Sequence, residues 1–244
     1  MKALKLAIAS LALSFSALSA GEVNIAAAAD MKYALDDIAR LYMKRHPQTK
    51  INTMFGSSGK AFTQISNGAP YDIYYSADID YPKKLKATGK VVGDVKPYAI
   101  GRIVLWSDAI DTAKGMNTLL SPAIKKIAIA NPEHAPYGRA AVAALKSYGL
   151  YDKIKGKLIY GENINQTAQY AQTKAADIAI LALSISSSPA LRDTPSFLIP
   201  KESHPELVQG YVLVRNNPEA KDFISFFETK EANDILKKYG FVVQ

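Results

Sequence analysis

Short apolar runs alternate with helix-patterned stretches along nearly the whole chain, and this alternation restricts it to an α/β fold with mostly parallel sheets flanked by helices. Residues 22–29 are strand-like despite their alanines, and residues 30–46 carry Leu35, Ile38, Ala39, Leu41 and Tyr42 at helical spacing before Pro47. Residues 50–55 alternate as a second strand, 58–67 form a short helix ended by Gly68, 71–76 read as a buried strand, and 79–88 as a helix stopped by Gly89. The grammar then repeats, with strands at 102–106, 127–130, 158–160, 178–183 and 211–214 and helices at 138–147 and 164–174. Asn217 caps, and Pro218 opens, a last helix running to Tyr239. That last strand and helix read as partners of the first sheet. The chain is therefore expected to cross twice between two lobes, at residues 97–102 and 205–210. Residues 21–99 with 208–244 make the first lobe and 100–207 the second, with a ligand cleft between them at the carboxyl ends of the strands.

Residues 1–20 read as a secretory leader. Lys2 and Lys5 give a basic start, residues 6–18 are an apolar stretch too short to span a bilayer, and Ala17, Ser19 and Ala20 supply small residues for cleavage. The chain has no cysteine, which removes disulfides, thiolate metal sites and lipid attachment after the leader. The expected product is a soluble exported protein, periplasmic in a Gram-negative cell. Its formal charge of +8 includes Lys2 and Lys5, and the remaining lysines are scattered, as in Lys83-Lys84, Lys125-Lys126 and Lys237-Lys238. Dispersed lysines belong on solvated faces; they help steer anions but make no nucleic-acid footprint.

Small or polar turns stand where strands give way to helices: Ala28-Ala29-Asp30, Gly56-Ser57-Ser58-Gly59, Pro136-Tyr137-Gly138 and Asn163-Ile164-Asn165. The first turn of a helix has unpaired N–H groups and a partial positive charge, so such turns bind anions, and two can converge on one small ion. Ser57 and Ser58 add hydroxyl donors without adding charge. Ser57 and Lys60 also match the S-x-x-K spacing of acyl-serine enzymes, but neither K-T-G nor S-D-N follows. Met54 and Ala61 break a Walker A loop. His46, His134 and His204 lack metal-ligand spacing, with His134 read as a loop bystander, and no Ser/His/Asp set or carboxylate pair stands out. No cofactor and no metal cation is expected. Tyr71, Tyr74 and Tyr75, like Phe223, Phe226 and Phe227, read as core.

Several segments in order carry a family likeness: Ala27-Ala28-Ala29-Asp30, Phe55-Gly56-Ser57-Ser58-Gly59, Asn67-Gly68-Ala69-Pro70-Tyr71-Asp72, Ser76-Ala77-Asp78, Asn131-Pro132-Glu133-His134-Ala135-Pro136-Tyr137-Gly138 and Lys238-Tyr239-Gly240-Phe241. Over essentially the whole chain after the leader, the sequence resembles the periplasmic molybdate-binding proteins of ABC transporters. The resemblance implies a type II, two-lobed periplasmic binding protein. It also implies a monomeric receptor, not an enzyme, that captures molybdate or tungstate and delivers it to an ABC transporter permease. Carried over by position, the ligand contacts are Asp30 and Ser58 from the first lobe and Tyr137 and Ile164 from the second, with Ala29 and Ser57 beside them. Two positions depart from the family pattern. Asp30 stands where many relatives have Ser or Asn, and Leu181 where some have a ligand-contacting Tyr, a loss that Tyr137 offsets. A carboxylate aimed at a dianion would repel it. Asp30 is therefore expected to offer its backbone N–H while its side chain turns away to cap the helix at Lys32 or Tyr33. The residues by themselves leave open a receptor for sulfate, phosphate or a small organic acid, and an exported hydrolase using Ser57 or Ser58.

Overall fold

A computed structural model of the chain describes residues 21–243, so the leader expected over residues 1–20 lies outside the described residues. From the amino end, β1 (Gly21–Ala28) runs through a 3-10 turn (Ala29–Met31) into α1 (Lys32–Arg45). There follow β2 (Thr49–Gly56), α2 (Ser58–Ser66), β3 (Ile73–Ser76), α3 (Asp80–Ala87) and β4 (Lys96–Gly101). The next stretch holds β5 (Ile103–Trp106), β6 (Ile127–Ala130), α4 (Pro136–Ser147), α5 (Tyr151–Ile154), β7 (Leu158–Gly161) and α6 (Ile164–Gln172). It continues with β8 (Ile178–Ala182), α7 (Leu183–Ser186) and β9 (Ser196–Leu198). The chain closes with β10 (Leu207–Leu213), α8 (Pro218–Phe227) and α9 (Lys230–Lys238). Among the described residues no helix is long and apolar enough to cross a membrane.

These strands form two five-stranded sheets on one plan, β2-β1-β3-β10-β4 and β7-β6-β8-β5-β9. In each, one strand runs against both its neighbours: β10 against β3 and β4, β5 against β8 and β9. The others share one direction, with β1 parallel to β2 and β3, and β6 parallel to β7 and β8. The alanines of β1 suit a strand covered on both faces. Val23, Ile25 and Ala27 face a core built with α1, α8 and α9, while Ala26 faces a separate core with α2 and α3. Small side chains there let helices close on both sides of the sheet.

The chain passes from the first sheet to the second at Arg102, and returns through residues 199–206. The stretch expected as the first crossing is thus mostly β4. Its opening Lys96 and Pro97 do not read as a strand, and Pro97 is accommodated because β4 is the edge of its sheet. β9, three residues long, is the other sheet's edge and was equally unread. The last helix also differs from expectation. Asn217 caps as expected, its carboxamide accepting from the N–H groups of Glu219 and Ala220, but the helix breaks after Phe227. Thr229 then caps α9 by accepting from Ala232 N–H, and the break turns Phe223 and Phe227 of α8 and Leu236 of α9 into one core.

Gly138 fixes where α4 meets its sheet. A Cβ there would collide with the backbone carbonyl of Ala130 at the end of β6, a neighbour that cannot rotate aside. The amino end of α4 therefore rests directly on the strand. Gly138→Ala is expected to lose about 1–3 kcal/mol of stability through this overpacking, read as a lower urea midpoint at unchanged slope. An unaltered midpoint would mean that α4 is free to shift.

Candidate functional site

Four helix starts converge on one small space between the sheets, two from each. α1 with its 3-10 turn follows β1 and α2 follows β2, while α4 follows β6 and α6 follows β7. Both pairs of strands are parallel neighbours, so their carboxyl ends, and the helices that follow, lie side by side. The space is small, with a volume of about 10 Å³. Its lining brings together Ala29, Asp30, Ser57, Ser58, Tyr137 and Ile164, all six residues singled out from the sequence, with Asn163 and Ala77 among the rest. Leu181 lies elsewhere, fully buried in β8 opposite Val104. Asp30 and Tyr137 are the ionisable side chains of the lining, which includes no Lys, Arg or His. Among the described residues no group of acidic or histidine side chains is placed to hold a metal ion.

Local bonding decides which donors remain for a ligand. Asn163 caps α6 by accepting from Asn165 and Gln166 N–H, which leaves the N–H of Ile164, the first helical residue, unpaired. In α4, Pro136 occupies the first position and has no N–H, so the N–H of Tyr137 is the first one offered. Ser58 Oγ accepts from Ala77 N–H at 3.0 Å, and its carbonyl accepts from Tyr74 OH at 2.6 Å. With Oγ accepting from Ala77, the Ser58 hydroxyl hydrogen is free to be donated. Ser57 is tied more tightly: its Oγ accepts from Lys60 N–H at 3.4 Å and lies 2.9 Å from His134 Nδ1. Burial, then the Lys60 ammonium, hold His134 below its usual pKa, which favours the neutral ring.

The His134 contact was not legible in the sequence, because it joins residues 77 apart across the two halves. Gly59 makes it possible. Its N–H donates to the His134 carbonyl at 2.9 Å, and a Cβ on Gly59 would sit only 2.7 Å from that oxygen. Lys60–Glu162 at 3.0 Å and Arg139–Asp78 at 2.6 Å are further bridges between the halves.

The side chain of Asp30 corrects an expectation. It does not cap the helix: neither the 3-10 turn nor α1 has a side-chain cap. Instead Oδ2 accepts from Tyr137 OH at 2.9 Å and from Gln209 Nε2 at 2.6 Å, while Oδ1 is buried without a partner. Gln209 also donates to Tyr137 OH at 3.0 Å and accepts from Tyr98 OH. The reason is competition: a tyrosine hydroxyl and a carboxamide arriving from distant strands and helices offer the buried carboxylate fixed donors. Gln209 had no signal in the sequence, since it sits within an otherwise apolar strand. Burial pushes the Asp30 pKa up to about 6, against the lowering effect of the Gln209 and Tyr137 side chains and, less strongly, of the nearby Asp30 and Met31 backbone N–H groups. Burial and the facing Asp30 in turn hold the Tyr137 phenol well above its usual range.

A family model described as bacterial extracellular solute-binding protein matches residues 23–242. The chain belongs to that family. As a solute-binding protein it has clear relatives: it is 33% identical over 230 residues to the molybdate-binding protein ModA of Rhodobacter capsulatus, covering 93% of this chain and 90% of that one. It is 34% identical over 234 residues to ModA of Azotobacter vinelandii, covering 93% and 92%. The solved structure of the Azotobacter vinelandii periplasmic molybdate-binding protein superposes with a TM-score of 0.84 at 30% identity, covering 91% of this chain and 99% of that one. The family is one of binding proteins, not enzymes, which answers the hydrolase reading of Ser57 and Ser58.

The raised Asp30 pKa makes a prediction for the solute-binding protein without ligand. A folded value of about 6 against 3.8 unfolded means the folded state holds this proton more tightly. The associated stability is therefore full below pH 4 and is lost as pH rises through 6. Asp30→Asn removes the ionised form and should stabilise the protein by on the order of 3 kcal/mol at pH 7.5, the gain fading towards pH 4. Urea unfolding at the two pH values checks this; a difference that does not change with pH would contradict it.

Proposed function

We propose that this solute-binding protein is the periplasmic receptor of an ABC transporter, capturing molybdate in the small cavity and delivering it to the membrane permease as a monomer. The observation that carries the reading is the meeting of four helix starts on a space lined by neutral donors and without a cation. A tetrahedral oxyanion presents four oxygens that each take about two hydrogen bonds, and stripping its water without replacing them is prohibitive. The N–H groups of Ala29, Asp30, Ser58, Tyr137 and Ile164 and the hydroxyl of Ser58 stand around it from both sides, with Ser57 holding α2 in place. So small a space suits a compact ion and excludes sugars or peptides.

The names of the relatives in Rhodobacter and Azotobacter support molybdate as the ion. Tungstate has nearly the same size and charge and fits the same donors, whereas sulfate is smaller and would leave some of them out of reach. The lobes that close on the ion are residues 21–99 with 208–244 and residues 100–207, apart from the residue or two by which β4 and β10 overrun these limits.

Titration calorimetry with molybdate, tungstate, sulfate and phosphate tests the reading, with molybdate and tungstate expected to bind tightest. At a hundredfold excess over Kd the ligand adds about 2.7 kcal/mol to stability and raises Tm accordingly. Ser58→Ala should weaken molybdate binding roughly tenfold to a hundredfold, the loss expected for a hydrogen bond to a charged ligand, with the fold intact. Sulfate binding as tightly as molybdate, or Ser58→Ala binding as well as the wild type, would count against it.

A further inference from the structure

We propose that Asp30 meets the bound oxyanion as a neutral acid, donating an Oδ1–H to it, so that each anion captured brings one proton with it from solvent. This rests on the oxyanion reading above and adds to it the protonation state of the site.

The two oxygens of this carboxyl group are not equivalent. Oδ2 accepts from both Tyr137 OH and Gln209 Nε2, whereas Oδ1 is buried with no partner in a side chain that lines the cavity. A buried polar atom without a partner carries the full penalty of lost hydration. An anion oxygen cannot relieve that penalty for an ionised Oδ1, since both atoms only accept. It relieves it at once if Oδ1 carries a proton.

No cation stands ready to neutralise the carboxylate instead. The groups facing it are the Tyr137 hydroxyl from α4, the Gln209 amide from β10, behind that amide the Tyr98 phenol from β4, and the nearby backbone N–H groups of Asp30 and Met31, all of them neutral. On α1, Lys32 is paired with Asp36 and stands over the Phe55 ring, and Tyr33 stacks on Tyr239. On β2, Lys50 turns to Glu22, while α7 has no ionisable residue and α6 has only Tyr170, packed on the second core. Burial, net of the lowering hydrogen bonds around it, already raises the carboxyl pKa to about 6. Even one unit of negative charge at about 4 Å would raise its proton affinity roughly a further thousandfold. The bound form therefore stays protonated well above neutral pH.

The position of this proton also sets selectivity. A neutral Asp30 donates, and so favours oxyanions that carry no hydrogen, such as molybdate and tungstate. An ionised Asp30 would accept, and would favour hydrogen phosphate. Asp30→Asn, with its amide oxygen in place of Oδ2 and its nitrogen in place of Oδ1, is a permanent copy of the neutral donor.

The experiment is titration calorimetry of the full chain with sodium molybdate near pH 7 and pH 8, in pairs of buffers with different ionisation enthalpies. The wild type should take up about one proton per molybdate near pH 8, and its Kd should weaken about tenfold per pH unit. Asp30→Asn should take up none, show no such pH dependence, and bind at least tenfold more tightly than wild type near pH 8. Molybdate binding by the wild type with no proton uptake and a flat pH profile would overturn the proposal while leaving the molybdate reading intact. Tighter binding of phosphate than of molybdate would overturn it in favour of an ionised acceptor. An absence of molybdate and tungstate heat at every pH would remove the oxyanion reading and this inference together. The wild-type measurement stands alone should the variant fail to fold.

Discussion

Backbone N–H groups left unpaired in the 3-10 turn before α1 and at the starts of α2, α4 and α6 set the terms for the sequence and packing around the cleft. Each is a consequence of helix geometry, and each is costly to bury unless a ligand accepts from it. Most residues at these turns are small, among them Ala28, Ala29, Ser57, Ser58 and Ala135, so the backbone can reach the cavity surface. Gly59 and Gly138 allow approaches that any Cβ would block. The caps are arranged to match. Asn163 and Ser57 take up N–H groups further into their helices, leaving the foremost ones exposed to the space.

The halves that carry these turns are held together by modest interactions. Lys60–Glu162 and Arg139–Asp78 are partly exposed ion pairs, worth about 0–1 kcal/mol each. The hydrogen bonds of Gly59 and Ser57 to His134, and of Tyr137 to Asp30, add directionality more than energy. Ala28, Ala29 and Ala77 from the first sheet's strand ends pack on the second core, but they are small and contribute little area. Such a balance is readily tipped by a ligand that binds both halves at once, because it stabilises the closed arrangement alone.

Most of this plan was legible in the sequence. Strand-to-helix turns leave local signals, and all six residues that the family resemblance picks out within them line the cavity. What was missed is either at an edge or far away along the chain. β4 and β9 are edge strands without the continuous apolar character of buried ones. The break between α8 and α9 depends on Thr229, a residue that a helix interior tolerates, and is decided by the core that both segments share. Gln209 and His134 act on residues 179 and 77 positions away, a distance at which no periodicity carries information. Asp30 is the instructive case. Local chemistry favours a capping carboxylate, yet tertiary donors override it and place the one poorly accommodated group of the site beside the ligand. Violations of local rules concentrate where function requires them.

Neutral donors divided between two halves also explain how a receptor can bind a dianion firmly and still release it. A lysine or arginine in the cavity would remain paired with the anion on whichever half carried it, and a desolvated ion pair is difficult to break. Here the donors of α1 and α2 belong to one sheet and those of α4 and α6 to the other. Opening the cleft leaves the anion with an incomplete set on either side, so water regains its oxygens. In the proposed cycle, opening would part Tyr137 from Asp30, removing one donor from Oδ2 and exposing the carboxyl to solvent. Desolvation then no longer favours the acid, the proton is lost, and the returning carboxylate charge repels the dianion. Under that proposal affinity is a property of the closed geometry rather than of any single side chain, and the motion that separates the lobes would withdraw both the hydrogen bonds and the proton that held the ligand.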